Sequence, residues 1–191
     1  MRKLIAGFKV SIDGMIEGPE GYADWVAAWS EDYGLTGQID ACIVGAGMYP
    51  GYEKYWSEIQ TAADQPLPMA GRFATPDEVR WAHFAAVTPH YVLSTTLSHA
   101  QWPKTSFLRS LTEVTALKSK PGKDIYLMGG GRVAATLIGG GLVDELRLIM
   151  YPLIAGPGRA LFATNAHRRK LELRKAQQLP DGRVSLAYAL G

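Results

Sequence analysis

The run Lys3-Leu-Ile-Ala-Gly-Phe-Lys-Val-Ser-Ile12 mixes β-branched and aromatic residues and stops at Asp13-Gly14, which predicts a strand closed by a turn. Gly18-Pro19-Glu20-Gly21 extends that turn into a loop. Trp25 to Trp29 carries apolar residues at helix-compatible spacing, and Ile39 to Gly45 is the compact apolar segment expected of a buried strand. From Tyr49 to Arg72 no periodicity is sustained, so the stretch reads mostly as loop, with a helix only around Tyr52 to Ala62. Thr75-Pro76-Asp77-Glu78 is a strong helix start: Thr75 can cap, Pro76 suits the first turn, and Glu78 sits where a capping box needs its carboxylate. That helix should run to about Ala86 and stop before Pro89, with His90 to Thr95 as the next strand.

Leu108 to Lys120 predicts a helix ended by Pro121-Gly122, and Asp124 to Met128 another buried strand. Gly129-Gly130-Gly131 and Gly139-Gly140-Gly141 bracket a further helix that begins near Arg132. Glu145 to Pro152 reads as a strand, Gly156-Pro157-Gly158 as a turn. Leu171 to Gln178 and Val184 to Leu190 then form a hairpin through Pro180-Asp181-Gly182. Strands and helices alternate over most of the chain. This predicts a single domain over residues 1–191, a three-layer α/β fold with a mostly parallel sheet and an antiparallel hairpin at one edge.

Composition narrows the function classes. A 47% hydrophobic and 20% charged chain of 191 residues can bury a real core. Lys plus Arg is 20 against 18 Asp plus Glu, a net charge of +2 with no basic run, so neither nucleic acid nor an anionic membrane is an expected partner. Cys42 is the only cysteine, which excludes an internal disulfide and makes the reducing cytoplasm the expected location. The Arg2-Lys3 start is followed by too short an apolar run for a signal peptide, and no apolar stretch has the ~18 residues of a spanning helix. His83, His90, His99 and His167 lack ligand-like spacing, so no metal is expected, and no G-x-S-x-G elbow supports nucleophilic hydrolysis.

Several segments can carry chemistry. A strand, then Gly129-Gly130-Gly131, then a helix from Arg132 puts unpaired backbone N–H groups and a positive helix end at the carboxyl edge of a sheet, where a diphosphate can bind. A plain strand-to-helix turn is the alternative. Gly45-Ala46-Gly47-Met48 leaves another buried strand and would face the same edge if the strands are parallel; Ser94-Thr95-Thr96 offers hydroxyls for phosphate or ribose, or merely for local backbone. Asp13 at the end of the first strand, near Trp25 in sequence, suits a partly desolvated proton donor or an anchor for an aminopyrimidine-like ring, against the plainer reading of an Asp-Gly turn. The aromatic residues between Tyr22 and Trp56 suit a wall for a planar ligand or core packing equally.

Taken in order, Ser11-Ile-Asp-Gly, Asp40-Ala-Cys-Ile-Val-Gly-Ala-Gly-Met-Tyr, Tyr91-Val-Leu-Ser-Thr-Thr-Leu, Ile125-Tyr-Leu-Met-Gly-Gly-Gly, Gly141-Leu-Val-Asp-Glu-Leu and Pro152-Leu-Ile-Ala-Gly-Pro-Gly-Arg-Ala-Leu-Phe resemble the dihydrofolate reductase-like family. The closer similarity is to its branch named for the C-terminal reductase domain of the bifunctional riboflavin-biosynthesis deaminase-reductase. The resemblance implies an eight-stranded, mainly parallel sheet, and hydride transfer from NADPH, or NADH, to a pterin-, pyrimidine- or flavin-like ring. It implies diphosphate contacts at Gly129, Gly130, Gly131 and Arg132, the phosphate-ribose side at Gly45, Ala46, Gly47 and Met48, and the adenosine 2′-phosphate at Ser94, Thr95 and Thr96. Asp13 would be catalytic, with Ser11 and Trp25 binding the small-molecule substrate, and a homodimer would form through the C-terminal strands.

The chain departs from the family pattern at three places. Ala46 and Thr95 stand where the family usually carries arginines, and Met128 stands where the riboflavin-pathway enzymes carry an acid, which argues against their phosphoribosyl-aminopyrimidine substrate. Each charge-assisted phosphate contact is worth roughly 1.5–3 kcal/mol, so the two losses weaken a cofactor site by orders of magnitude unless other cations, with Arg72 and Arg132 the candidates, replace them. A non-catalytic ligand-binding module on the same scaffold is therefore the rival reading. A Rossmann dehydrogenase fits less well: its glycine turn comes first in the chain and an acid ends the following strand, whereas here Asp144-Glu145 begin it.

Overall fold

The structure, a computed structural model, describes residues 1–31, 33–68, 70–162 and 168–191. Among these, six parallel strands form the body of one sheet: β1 (Leu4–Ser11), β3 (Ile39–Gly45), β4 (His90–Leu93), β5 (Thr105–Leu108), β6 (Asp124–Leu127) and β7 (Glu145–Tyr151). The hairpin of β9 (Glu172–Gln178) and β10 (Val184–Ala189) completes it, giving eight strands in the order β5-β4-β3-β6-β1-β7-β10-β9. A small antiparallel ribbon pairs β2 (Met15–Glu17) with β8 (Arg159–Ala160). The α/β fold has a strand order that is not the 3-2-1-4-5-6 of a Rossmann sheet.

β1 is central and buried along its whole length because successive side chains enter opposite layers. Leu4, Ala6, Phe8 and Val10 pack with Val114 and Leu117 of α3 (Leu111–Ser119) and Ala134 and Leu137 of α4 (Gly131–Gly139). Ile5 joins the other layer, where Tyr52, Trp56 and Ile59 of α1 (Tyr49–Ala62) meet Trp81, Ala82 and Ala85 of α2 (Pro76–Val87). Buried Cys42 sits in this second layer, and its burial pushes the thiol pKa far up, so the thiol is inert packing. His90 is buried too: burial lowers its pKa to about 4, and its ring bridges the Thr88 carbonyl (2.8 Å) and the Tyr52 hydroxyl (3.2 Å).

Several elements differ from the sequence-based expectation, the short strands β2 and β8 among them. Trp25 to Trp29 forms no helix, because its backbone is taken up by other elements: Lys9 Nζ donates to the Ala28 carbonyl (3.2 Å) and the Trp29 amide donates to Glu78 (2.8 Å). The helix expected around Tyr52 starts earlier, at Tyr49, with Pro50 in its first turn, where a missing N–H costs nothing. The helix expected from Leu108 begins at Leu111, since Ser110 caps it by accepting the Glu113 amide (3.3 Å). Thr105–Leu108 instead forms β5, an edge strand against β4. The capping box at Thr75 and Glu78, the helix after the triple glycine and the C-terminal hairpin stand as expected. His167 lies outside the described residues. Among the described residues no helix is long and apolar enough to cross a membrane, and no group of three or more His, Cys, Asp or Glu could hold a metal ion.

Candidate functional site

Because β4, β3, β6 and β1 are adjacent and parallel, the turns that follow them lie side by side on one sheet edge in the order Ser94, Gly45, Gly129, Asp13. With about 4.8 Å between strands, this row extends roughly 14 Å. The two glycine groups, far apart in sequence, meet in its middle: a Cβ on Gly130 would lie 3.6 Å from Gly45 Cα, and one on Gly45 would lie 3.6 Å from the Gly129 carbonyl oxygen.

α4 starts here with Gly130 as its N-cap and no side-chain cap, so its first-turn amides have no helical acceptor. The apolar face of α4, through Ala134 and Leu137, fixes the helix on the sheet and aims this positive end at the edge. Arg132 in its first turn is exposed. The cradle is narrow. A Cβ at Gly129 would come within 3.1 Å of the Met48 sulfur, and one at Gly131 within 2.9 Å of Ile16 Cδ1 and 3.3 Å of Arg159 Cδ. Glycines let Met48, Ile16 and Arg159 lie directly on this backbone, where any side chain of the turn itself would collide. The donor set, amides plus arginine with no carboxylate among the turn residues, fits a diphosphate.

The Gly45-Ala46-Gly47-Met48 segment is divided in role. Gly45 is buried against the other glycine turn, whereas Gly47 is exposed with nothing near its missing Cβ. Met48 is the N-cap residue of α1 and covers Gly129 with its thioether rather than presenting a donor. Ser94 Oγ accepts the Thr96 amide (3.2 Å) and the Leu97 amide (2.9 Å), closing a local turn, while Thr95 and Thr96 are exposed. Arg72 is no substitute for the absent arginines: its guanidinium makes two bonds to Glu78 (2.8 and 2.9 Å), far from any free role.

At the β1 end, Asp13 differs from the expected desolvated acid. It is exposed and accepts from the Ser11 hydroxyl (2.5 Å) and from the amides of Ala155 (3.0 Å) and Gly156 (2.9 Å). The Ser11 hydroxyl first, then these amides, lower its pKa to about 2, so it is an ionised clamp on the 153–156 loop and not a resting proton donor. Ser11 is buried, its oxygen also accepting the Met15 amide (2.9 Å). Trp25 packs near Gly18, and its indole nitrogen is buried with no acceptor among the described residues.

Two arginines at this edge escaped the sequence reading. Arg159 crosses Gly131 with its stem and pairs with Glu17 (2.7 Å); the Gly-Pro-Gly-Arg turn was its only local sign. Arg109, just beyond β5, donates to the carbonyls of Ser94 (2.6 Å) and Leu97 (2.7 Å), and nothing local signalled it because its position depends on β5 pairing with β4. The clefts between β5 and α3 and along α1 are lined by none of the candidate residues.

Comparison with known proteins agrees with the geometry. The fold is that of dihydrofolate reductase: the enzyme from Enterococcus faecalis complexed with NADP(H) and RAB-propyl superposes with a TM-score of 0.59 at 15% identity, over 99% of this chain and 96% of that one. A protein ascribed to riboflavin biosynthesis in Shewanella sp. PV-4 superposes with a TM-score of 0.70 at 17% identity, over 99% of both chains. Residues 2–185 match the RibD C-terminal domain, and the chain belongs to that family. An uncharacterized protein, YyaP, of Bacillus subtilis (strain 168) is 31% identical over 192 aligned residues, covering 98% of this chain and 94% of that protein.

Proposed function

We propose that this chain is a nicotinamide-dependent reductase that acts in the cytoplasm on a small planar heterocycle of the pterin, pyrimidine or flavin type. The observation that carries the reading is the uncapped α4 N-terminus meeting the Gly45 turn backbone to backbone at the sheet edge. Family membership and a structural neighbour complexed with NADP(H) support it. The nicotinamide cofactor, NADPH or NADH, supplies the hydride.

The remaining work belongs to the protein. The amides of Gly129, Gly130 and Gly131, with Arg132, hold the diphosphate, Gly45 to Met48 flank the adjoining ribose, and Ser94 to Thr96 receive the adenosine end. Ser11 and Trp25 border the heterocycle. Holding donor and acceptor together is the main catalytic contribution. With Asp13 ionised and committed to the 153–156 loop, the proton comes from water, and Asp13 shapes the pocket instead. A homodimer through the C-terminal hairpin suits the half-exposed β10 and the exposed Leu173 on β9, both of which leave apolar surface in water.

Titrating the protein with NADPH and NADH while following tryptophan fluorescence tests the reading. Micromolar binding of at least one is expected, and binding of neither at millimolar concentration overturns it. Met48 over Gly129 and Ile16 over Gly131 favour the rival reading of a non-catalytic ligand-binding module, and that second outcome would support it.

A further inference from the structure

We propose that Arg109 reads the 2′-phosphate that distinguishes NADPH from NADH, in place of the arginine absent at Thr95; the inference rests on the nicotinamide reading above. The guanidinium is held across the Ser94–Leu97 turn by two bonds from its Nη1, to the Ser94 carbonyl (2.6 Å) and the Leu97 carbonyl (2.7 Å). Its Cζ lies 4.9 Å from the centre of the Phe107 ring, so the charged plane is stacked as well as tethered. A guanidinium has five N–H donors. The two carbonyls occupy one nitrogen, and the N–H groups on Nε and Nη2 have no acceptor among the described residues. Arg109 itself is exposed, and its guanidinium pairs with no carboxylate among the described residues; Glu113 accepts only its backbone amide (2.7 Å).

The same turn supplies the other donors a phosphate dianion needs. Thr95 and Thr96 are exposed, and Ser94 Oγ, which accepts two amides, keeps its proton to donate. A pre-positioned fork loses little side-chain entropy on binding, which is the advantage of arginine over lysine at such a place. The cation thus reaches the turn from the neighbouring strand β5 instead of from the turn itself.

The test compares affinities for NADPH and NADH, and for 2′,5′-ADP and 5′-ADP, by calorimetry on the full chain. The wild-type protein is expected to prefer the 2′-phosphorylated member of each pair by roughly tenfold or more. Arg109→Ala should bring both ratios close to one, and Thr95→Arg added to it should restore the preference. Arg109→Lys keeps a cation able to hold the turn carbonyls, so it serves if Arg109→Ala does not fold; its ratios should fall severalfold. Ratios unchanged in Arg109→Ala or Arg109→Lys, or no preference in the wild-type protein, overturn the assignment while leaving the reductase reading intact. Failure of the wild-type protein to bind either dinucleotide overturns both.

Discussion

A Cβ on Gly130 would stand 3.6 Å from Gly45 Cα and 3.8 Å from its amide nitrogen, so two turns 85 positions apart in the chain touch through bare backbone. β3 and β6 are neighbours in the sheet, which brings their exits together, and Gly130 adopts φ +88°, a conformation that side chains resist.

Gly130→Val should therefore act at two levels. Strain at positive φ costs about 1–3 kcal/mol, seen as a lowered melting temperature with the circular dichroism spectrum retained. Dinucleotide affinity should fall at least tenfold. A folded variant with unchanged affinity would refute the phosphate role of this turn.

Asp13→Asn should leave the acid limb of any pH–rate profile in place, because the native carboxylate stays ionised down to about pH 2. Asn keeps one acceptor oxygen for the Ala155 amide but sets an NH2 group against the Gly156 amide, and loss of that second bond should instead raise KM through a looser 153–156 loop. An acid limb near pH 5–6 that vanishes in the variant would make Asp13 the proton donor after all.

Glu78 is fully buried and accepts from the Trp29 amide (2.8 Å), the Tyr55 hydroxyl (2.7 Å), the Thr75 amide (2.8 Å) and Arg72. Burial alone opposes its ionisation, yet Arg72 and the other donors outweigh it and lower the pKa from 4.5 to about 2. A carboxylate with a depressed native pKa stabilises the fold above its unfolded pKa and loses that contribution as pH falls through the native one. The contribution, about 3 kcal/mol, should disappear between about pH 4.5 and pH 2. Glu78→Gln should lower the melting temperature at pH 7, and the gap to wild type should close toward pH 2. A gap that stays constant with pH would contradict this account of the hub.

What was legible in the sequence was the part governed by local rules. Thr75 and Glu78 announced their capping box, Gly129 to Gly131 their strand-to-helix exit, and Val184 to Leu190 their hairpin, because each signal lies within a few residues. Trp25 to Trp29 misled because apolar spacing says nothing about Lys9 and Glu78 claiming the backbone. The strand pairs Met15–Glu17 and Arg159–Ala160 are too short to show alternation. Arg72 looked available until Glu78 bound it, and Arg109 was invisible until β5 lay beside β4. Charge partners across the fold are set by tertiary packing, so the cations of the site were the least readable feature.

The most direct measurement is a crystal structure of the protein with saturating NADPH. The diphosphate should lie within hydrogen-bonding distance of the Gly131 and Arg132 amides, with Met48 swung off Gly129. Full occupancy of that corner by Met48 and Ile16, with the dinucleotide elsewhere or absent, would contradict the account.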